Sequence, residues 1–294
     1  ACENGDCDMV QFLVKKGADI NLASQDVDAG SGATPLFMAS QEGHIDIVRF
    51  LIANKVDVNR TRKDGEAPLS MAAQSDYLDI VSILIDAGAK ILQDINGVSY
   101  TALFRASSST NNPDLIELLI KHGSPVNQIA DDGVTPLLLA CQAGNTEVAK
   151  ILIKYGADVN FAEKKSGLTP LISAAQFGRK DVVQLLIDHE VDLNKPRADS
   201  ATALFLACQE GYADIAQLLI FHKVNVNYAN NEGVTPLMMA VQCSPELVIL
   251  LVKNGADINR VSEDGSTAIG LALLVGNLKL AGFYSALVAL VINV

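Results

Sequence analysis

Short apolar runs of helical period recur along this chain. Val148, Ala149, Ile151, Leu152 and Ile153 make one such stripe, and copies of Ile-Val-x-x-Leu-Ile return at matching places elsewhere. Each run comes after a shorter segment that opens on Thr-Pro-Leu or a near copy, beginning at Thr34, Ala67, Thr101, Thr135, Thr169, Thr202, Thr235 and Thr267. The intervals between openings are 33, 34, 34, 34, 33, 33 and 32 residues. A period near 33 built from paired short helices predicts an all-α solenoid. In such a fold a unit buries its apolar side on its neighbours rather than in a closed core.

Residues 130 to 162 show how one unit is made. Asp132-Gly133 supplies a turn, Thr135 suits an N-cap, and Pro136 suits the first helical position, where its missing N–H costs nothing. The first helix is expected to stop at Gly144 and the second at Gly156, after which Asp158-Val159-Asn160 leads into the next hairpin. Asn112-Pro113-Asp114 and Ser244-Pro245-Glu246 open their second helices with a cap, a proline and a dipole-favoured acid. Ala39, Ala72, Ala106, Ala140, Ala174, Ala207, Ala240 and Ala272 share one first-helix site, where a methyl group lets stacked helices approach closely.

This unit, Thr-Pro-Leu-x-x-Ala through Gly-Ala-Asp-Val-Asn, resembles the ankyrin repeat, and the resemblance covers essentially all 294 residues. It implies an ankyrin-repeat α-solenoid of helix-turn-helix units joined by β-hairpin-like loops. The expected layout is a partial repeat at 1–23, repeats at about 28–61, 62–95, 96–129, 130–162, 163–196, 197–229 and 230–261, and a degenerate terminal repeat at 262–294. The family's Thr-Pro-Leu-His becomes Phe37, Ser70, Phe104, Leu138, Ile172, Phe205, Met238 or Gly270 at the histidine, so the Thr–His hydrogen bond is missing. Residues 24–33 form an extended hairpin, the turn into Thr101 is long, and 107–112 replace the mid-repeat Gly with a polar loop. These insertions are either mobile, partner-specific segments or simply tolerated loops. The opening Ala-Cys-Glu-Asn-Gly aligns with 140–144, inside a helix, so a piece of a longer protein is expected.

Composition narrows the function. Against 34 acidic side chains stand 22 basic ones, and the net charge of −12 argues against nucleic acid as a partner. Arg60, Arg62 and Lys63, like Lys164 and Lys165, read as solvated turns. Five cysteines do not make a disulfide framework. Cys2, Cys141 and Cys208 share a repeat position, and helices ~8–10 Å apart hold them beyond bonding reach. Reduced thiols and a cytoplasmic or nuclear location are expected. The sequence holds no phosphate loop, dinucleotide fingerprint, His-Glu-x-x-His or Gly-x-Ser-x-Gly. Its carboxylates recur in register as hairpin and cap residues, the opposite of a unique active site. No enzyme activity, no cofactor and no metal are expected. His122, His189 and His222 fall at second-helix ends, where a cation meets the helix C-terminus favourably.

Two recurrences carry the binding expectations. Gln41, Gln74, Gln142, Gln176, Gln209 and Gln242 hold the penultimate first-helix position. Either they suit a helix end and bond across to the next unit, or they line the concave face that the resemblance makes the partner surface. Phe177 comes after Gln176 where other units carry Glu42, Ser75, Ala143 or Glu210, and Val134, Leu168 and Val234 occupy a hairpin position that the family leaves exposed. The expected partner-binding set is Gln142, Gln176, Phe177, Gln209, Glu210, Val134 and Leu168, with Phe177 as its hot-spot anchor. Asn21, Asn59, Asn160, Asn194 and Asn259 close a spacing like Leu-x5-Asp-Val-Asn. For these the resemblance implies hydroxylation by an asparaginyl hydroxylase, the alternative being a turn Asn that bonds its own hairpin.

From Ala268 to Val294 the only charge is Lys279. That end is a cut where further protein covered it, a cap that self-associates, or a membrane-entering segment, although 280–294 falls short of the ~20 apolar residues a span needs. A monomer is expected unless this end self-associates. The leading expectation is a non-catalytic interaction scaffold that binds a protein or peptide partner on its concave face. The alternative is a regulatory or targeting module of a larger enzyme, ion channel or ubiquitin-ligase adaptor.

Overall fold

The computed structural model describes residues 1–24, 32–92 and 101–274. Most of the 24–33 hairpin, the long turn before Thr101 and the apolar end at 280–294 lie outside the described residues. The chain divides into two compact units, Ala1–Asp158 and Val159–Val294. The first holds α1 (Cys7–Lys15), α2 (Pro35–Gln41), α3 (Ile45–Ala53), α4 (Pro68–Gln74), α5 (Leu78–Asp86), α6 (Ala102–Ser109), α7 (Pro113–Lys121), α8 (Pro136–Ala143) and α9 (Thr146–Lys154). The second holds α10 (Pro170–Gln176), α11 (Lys180–Asp188), α12 (Ala203–Gln209), α13 (Ala213–Phe221), α14 (Pro236–Cys243), α15 (Pro245–Lys253) and α16 (Ala268–Leu274). Among the described residues the sole β pairing is a lone bridge between Val261 and Thr267. The fold is an all-α solenoid of paired helices.

Helix pairs stack because each leaves an apolar side that only a neighbour can cover. In the first unit α2, α4, α6 and α8 form one row and α3, α5, α7 and α9 another, with α1 against α3. In the second unit α10, α12, α14 and α16 line up likewise, beside α11, α13 and α15. The eight recurring alanines, Ala39 through Ala272, are all fully buried in the first-helix rows.

Local chemistry starts each helix. The hydroxyls of Thr34, Thr135, Thr169, Thr202 and Thr235 each accept from the N–H three residues on, at 3.2–3.3 Å. Thr101 makes no such bond. Where Ala67 replaces threonine, the Ser70 hydroxyl accepts from the Ala67 N–H (3.0 Å) and donates to Glu66 (2.9 Å). Glu66 in turn pairs with Arg105 of the following repeat.

The glycines that stop first helices do more than permit a left-handed residue. Gly5, Gly43 and Gly178 have φ of +73°, +80° and +70°, and a Cβ there would stand 2.8, 2.6 and 2.7 Å from the ring of His44, Tyr77 and Tyr212 respectively. The ring belongs to the next repeat in every case, so the glycine is the socket for its neighbour. His44 also places Nε2 2.8 Å from the Glu3 carbonyl oxygen.

The polar stretch at 107–112 departs from the mobile-loop expectation. α6 continues through Ser109, and inside it the Ser107 and Ser109 hydroxyls donate back to the Leu103 and Arg105 carbonyls at 2.7 Å. Both neighbouring repeats grip this stretch. Asn112 Nδ2 donates to Asp76 (2.9 Å), Asn145 Nδ2 donates to the Ser107 carbonyl (3.0 Å), and Asn111 Oδ1 accepts from the Glu147 N–H (3.1 Å). At second-helix ends, His122 and His189 set Nδ1 2.9 and 2.8 Å from the Leu118 and Leu185 carbonyl oxygens, as the helix C-terminus favours. His222 instead meets Phe221 edge-to-face at 5.3 Å.

Along the outer row of the first unit, Glu117 of α7 accepts from Lys154 (2.7 Å), Lys121 (3.0 Å) and Tyr155 (2.9 Å), joining α7 to α9. The Lys154 and Lys121 ammonium groups, with the Tyr155 hydroxyl, hold its carboxyl at about 2, well below the ordinary 4.5.

Both the glycine socket and the Glu117 cluster have measurable consequences. Gly178→Ala lowers stability by about 1–3 kcal/mol in chemical denaturation monitored by helical circular dichroism, and in a Tyr212→Ala background the cost shrinks to the positive-φ part. For Glu117 the folded value is depressed, so its contribution is present above pH 4.5 and is lost as pH falls toward about 2. Stability curves of Glu117→Gln and the unaltered chain therefore converge over that acid window.

Candidate functional site

The predicted binding residues fall at first-helix ends and hairpin turns. Pro170 through Ala175 of α10 are buried, whereas Phe177, its C-cap, is 41% exposed. Gln176 is half-buried beside it, and Gln209 and Glu210 are exposed at the end of the adjacent α12. With Leu168 in the hairpin ahead of α10, these residues share the second unit. Gln142, exposed at the end of α8, and Val134 ahead of that helix belong to the first unit. Val134, Leu168 and Val234 are half-buried, not exposed as the family pattern implies.

At two positions the glutamine row is tied differently from the cross-unit bond weighed in the sequence. Gln41 and Gln209 donate Nε2 to the next residue of their own helix end, Glu42 and Glu210, both at 3.1 Å. The group that reaches across is the glutamine's backbone carbonyl: it accepts from the Ser75 hydroxyl at Gln41 (3.3 Å) and from the Cys243 thiol at Gln209 (3.0 Å). Phe177 and Glu210 stand at that same register and cannot donate to a carbonyl. Sequence reasoning misses Met71, Leu139 and Met239, which are half-buried on first helices immediately before the buried alanine. Arg105 at the same register is the available signal, since a guanidinium does not belong in a core row.

Hairpin tips in the second unit are bound to one another. The Ala198 N–H donates to the Ser166 carbonyl (2.7 Å), Asn231 to Asp199 (2.9 Å) and Glu263 to Glu232 (2.9 Å). Beneath the first of these tips, the buried Glu163 accepts from the Lys165 N–H (2.7 Å), the Ser166 N–H (2.6 Å) and the Ser166 hydroxyl (2.7 Å). Those donors hold its carboxyl below the usual range.

Within the hairpins, the side chains of Asp19, Asp57, Asp192 and Asp257 accept from the Asn N–H two residues on at 2.8–3.1 Å. Asn21, Asn59, Asn160 and Asn194 instead turn Oδ1 to a backbone N–H of the following repeat, on Asp57, Lys90, Asp192 and Asn225, at 2.8–2.9 Å. Asn127 and Asn227 do the same to Asp158 (2.9 Å) and Asp257 (2.7 Å), although neither has the aspartate spacing. Asn259 is exposed in the last hairpin.

Among the described residues no group of three or more His, Cys, Asp or Glu is placed to hold a metal ion, and no helix is long and apolar enough to cross a membrane. All five cysteines are free, and burial pushes the Cys141 and Cys208 thiols far above their usual range.

Known proteins show the same arrangement. A family model described as "Ankyrin repeats (3 copies)" matches residues 1–95, 103–197 and 190–262. The Caenorhabditis elegans "Ankyrin repeat and KH domain-containing protein mask-1" is 30% identical over 159 residues, 54% of this chain but 6% of that protein. The Saccharomyces cerevisiae "Probable 26S proteasome regulatory subunit p28" is 32% identical over 164 residues, 54% of this chain and 69% of its own length. The crystal structure of the human ASB11 ankyrin repeat domain superposes with a TM-score of 0.66 at 24% identity, covering 70% of this chain and 92% of that one, which speaks to fold. With the family model spanning most of its length and the helix pairs in register, this chain belongs to the ankyrin-repeat family.

Proposed function

We propose that the chain is a non-catalytic scaffold that binds a protein or peptide on the face formed by its first helices and hairpin tips, the concave face of the family. Ankyrin repeats are generally protein–protein interaction modules. The observation that carries the reading is Phe177, a 41% exposed aromatic ending a helix whose other apolar residues are buried. An aromatic held at a rigid helix end loses little freedom on binding and suits a hot-spot anchor. The exposed Gln209 amide, whose Nε2 gives one hydrogen to Glu210, keeps a second hydrogen and its oxygen for a partner backbone.

A second reading, a regulatory or targeting module of a larger enzyme, ion channel or ubiquitin-ligase adaptor, is favoured by the small share of mask-1 that the match covers. Hydroxylation of Asn21, Asn59, Asn160, Asn194 and Asn259 rests on the Leu-x5-Asp-Val-Asn resemblance. Intact mass of the chain from its native source would then exceed the sequence mass by whole oxygens, and an unshifted mass removes the idea.

Selection of a random peptide-display library on the whole chain tests the scaffold reading. Enriched peptides lose roughly tenfold or more in affinity to a Gln176→Arg, Gln209→Arg variant with unchanged melting temperature. Affinity that survives this double change excludes the face of the second unit.

A further inference from the structure

In three repeats, a ring at the start of a second helix closes the glycine that stops the first helix of the preceding repeat. His44, Tyr77 and Tyr212 are the N-caps of α3, α5 and α13, with φ of −84°, −89° and −80° and ψ of 77°, 76° and 82°. Their rings lie on Gly5, Gly43 and Gly178. In the repeat that comes after Tyr212 the N-cap is Ser244 of α15, which has no ring to give. Ser244 also arrives one residue early, nine positions after Thr235, whereas Tyr212 comes ten after Thr202. Pro245 confines it to extended backbone, with φ −152° and ψ 127°. Its hydroxyl is engaged at the helix start, accepting from the Leu247 N–H (3.4 Å) and donating to Glu246 (2.6 Å).

Gly211, the glycine past the end of α12, is left without a ring. A Cβ there, at φ +82°, would meet a single atom within 4 Å, the Cys243 Cβ at 3.5 Å. At Gly178 the Tyr212 ring already stands at 2.7 Å. Gly17, Gly88, Gly123, Gly156 and Gly255 are barer still, but they stop second helices, a position on which no described repeat seats a ring. Cys243 is exposed beside Gly211, and its thiol is fixed by donating to the Gln209 backbone carbonyl at 3.0 Å. A polarizable sulfur and a backbone without a Cβ are two surfaces on which an aromatic ring packs closely. Gln209 and Glu210 of the candidate face directly precede Gly211.

We propose that the seat on Gly211 is filled from outside, by an aromatic side chain of the bound partner that stands where Tyr77 and Tyr212 stand in their own repeats. The proposal rests on the partner-binding reading and names the chemistry of one contact. The incoming ring lies on the Gly211 backbone and against the Cys243 side chain. With two side-chain torsions to fix, it gives up little freedom for the area it buries.

Peptides enriched by display on the whole chain are the probes, and Cys243 is a local reporter. A peptide at about ten times its Kd slows iodoacetamide alkylation of Cys243 about tenfold by mass spectrometry, while Cys7 of the first unit keeps its rate. Replacing the peptide's aromatic residue by leucine weakens binding roughly tenfold or more. On a Gly211→Ala chain, whose methyl occupies the seat, the same replacement changes affinity less than about twofold. Should that variant fold poorly, Cys243 protection and the leucine replacement still decide. Peptides that bind yet leave Cys243 alkylation unchanged, tolerate leucine, or lose as much on Gly211→Ala overturn the proposal. Partner binding stands in those cases if the Gln176→Arg, Gln209→Arg variant still loses them. A library that yields no binder, or binders indifferent to that variant with Cys243 unprotected, overturns both.

Discussion

The structure depends on one constraint: a pair of short helices cannot cover its own apolar side. Everything that recurs in the sequence serves the contact between neighbours. The buried alanines set how closely first helices approach. The glycine at a first-helix end receives a ring from the next repeat, and the asparagine at a hairpin end bonds the next repeat's backbone. Within each unit these contacts form a chain of nearest-neighbour bonds, and stability is their approximate sum.

That logic explains which features are legible from sequence. Helix ends are, because caps act within three or four residues: Thr135, Asn112 and Ser244 bond the N–H groups their positions imply. The contacts between repeats are not. Asn194 looks like a turn residue until the distance to the following repeat is known, and only then does Asp192 emerge as the turn-former. Gly178 reads locally as a helix stop, while its contact with Tyr212 depends on a residue more than thirty positions away. The stretch at 107–112 looks like a loop because serine disfavours helix interiors, yet it is helical through Ser109, with its hydroxyls bonded back to the preceding turn and both neighbouring repeats holding it.

The candidate face is legible only in part for the same reason. Exposure of Phe177 comes from a family register, and the structure bears that exposure out. Val134 and Leu168 are half-buried, and no local pattern reports it. The methionines before the alanine row look like core residues in sequence, but each keeps one side to water.

The hairpin tips of the second unit are joined backbone to backbone, from Ser166 through Ala198 and Asp199 to Asn231, and from Glu232 to Glu263. Loops usually stiffen when a ligand arrives, and that ordering opposes association. Here successive turns restrain one another before any ligand is present. On the proposed binding face, the entropy lost on complex formation would then fall mainly on the incoming chain, and a stiffer visitor would gain affinity without a single new contact.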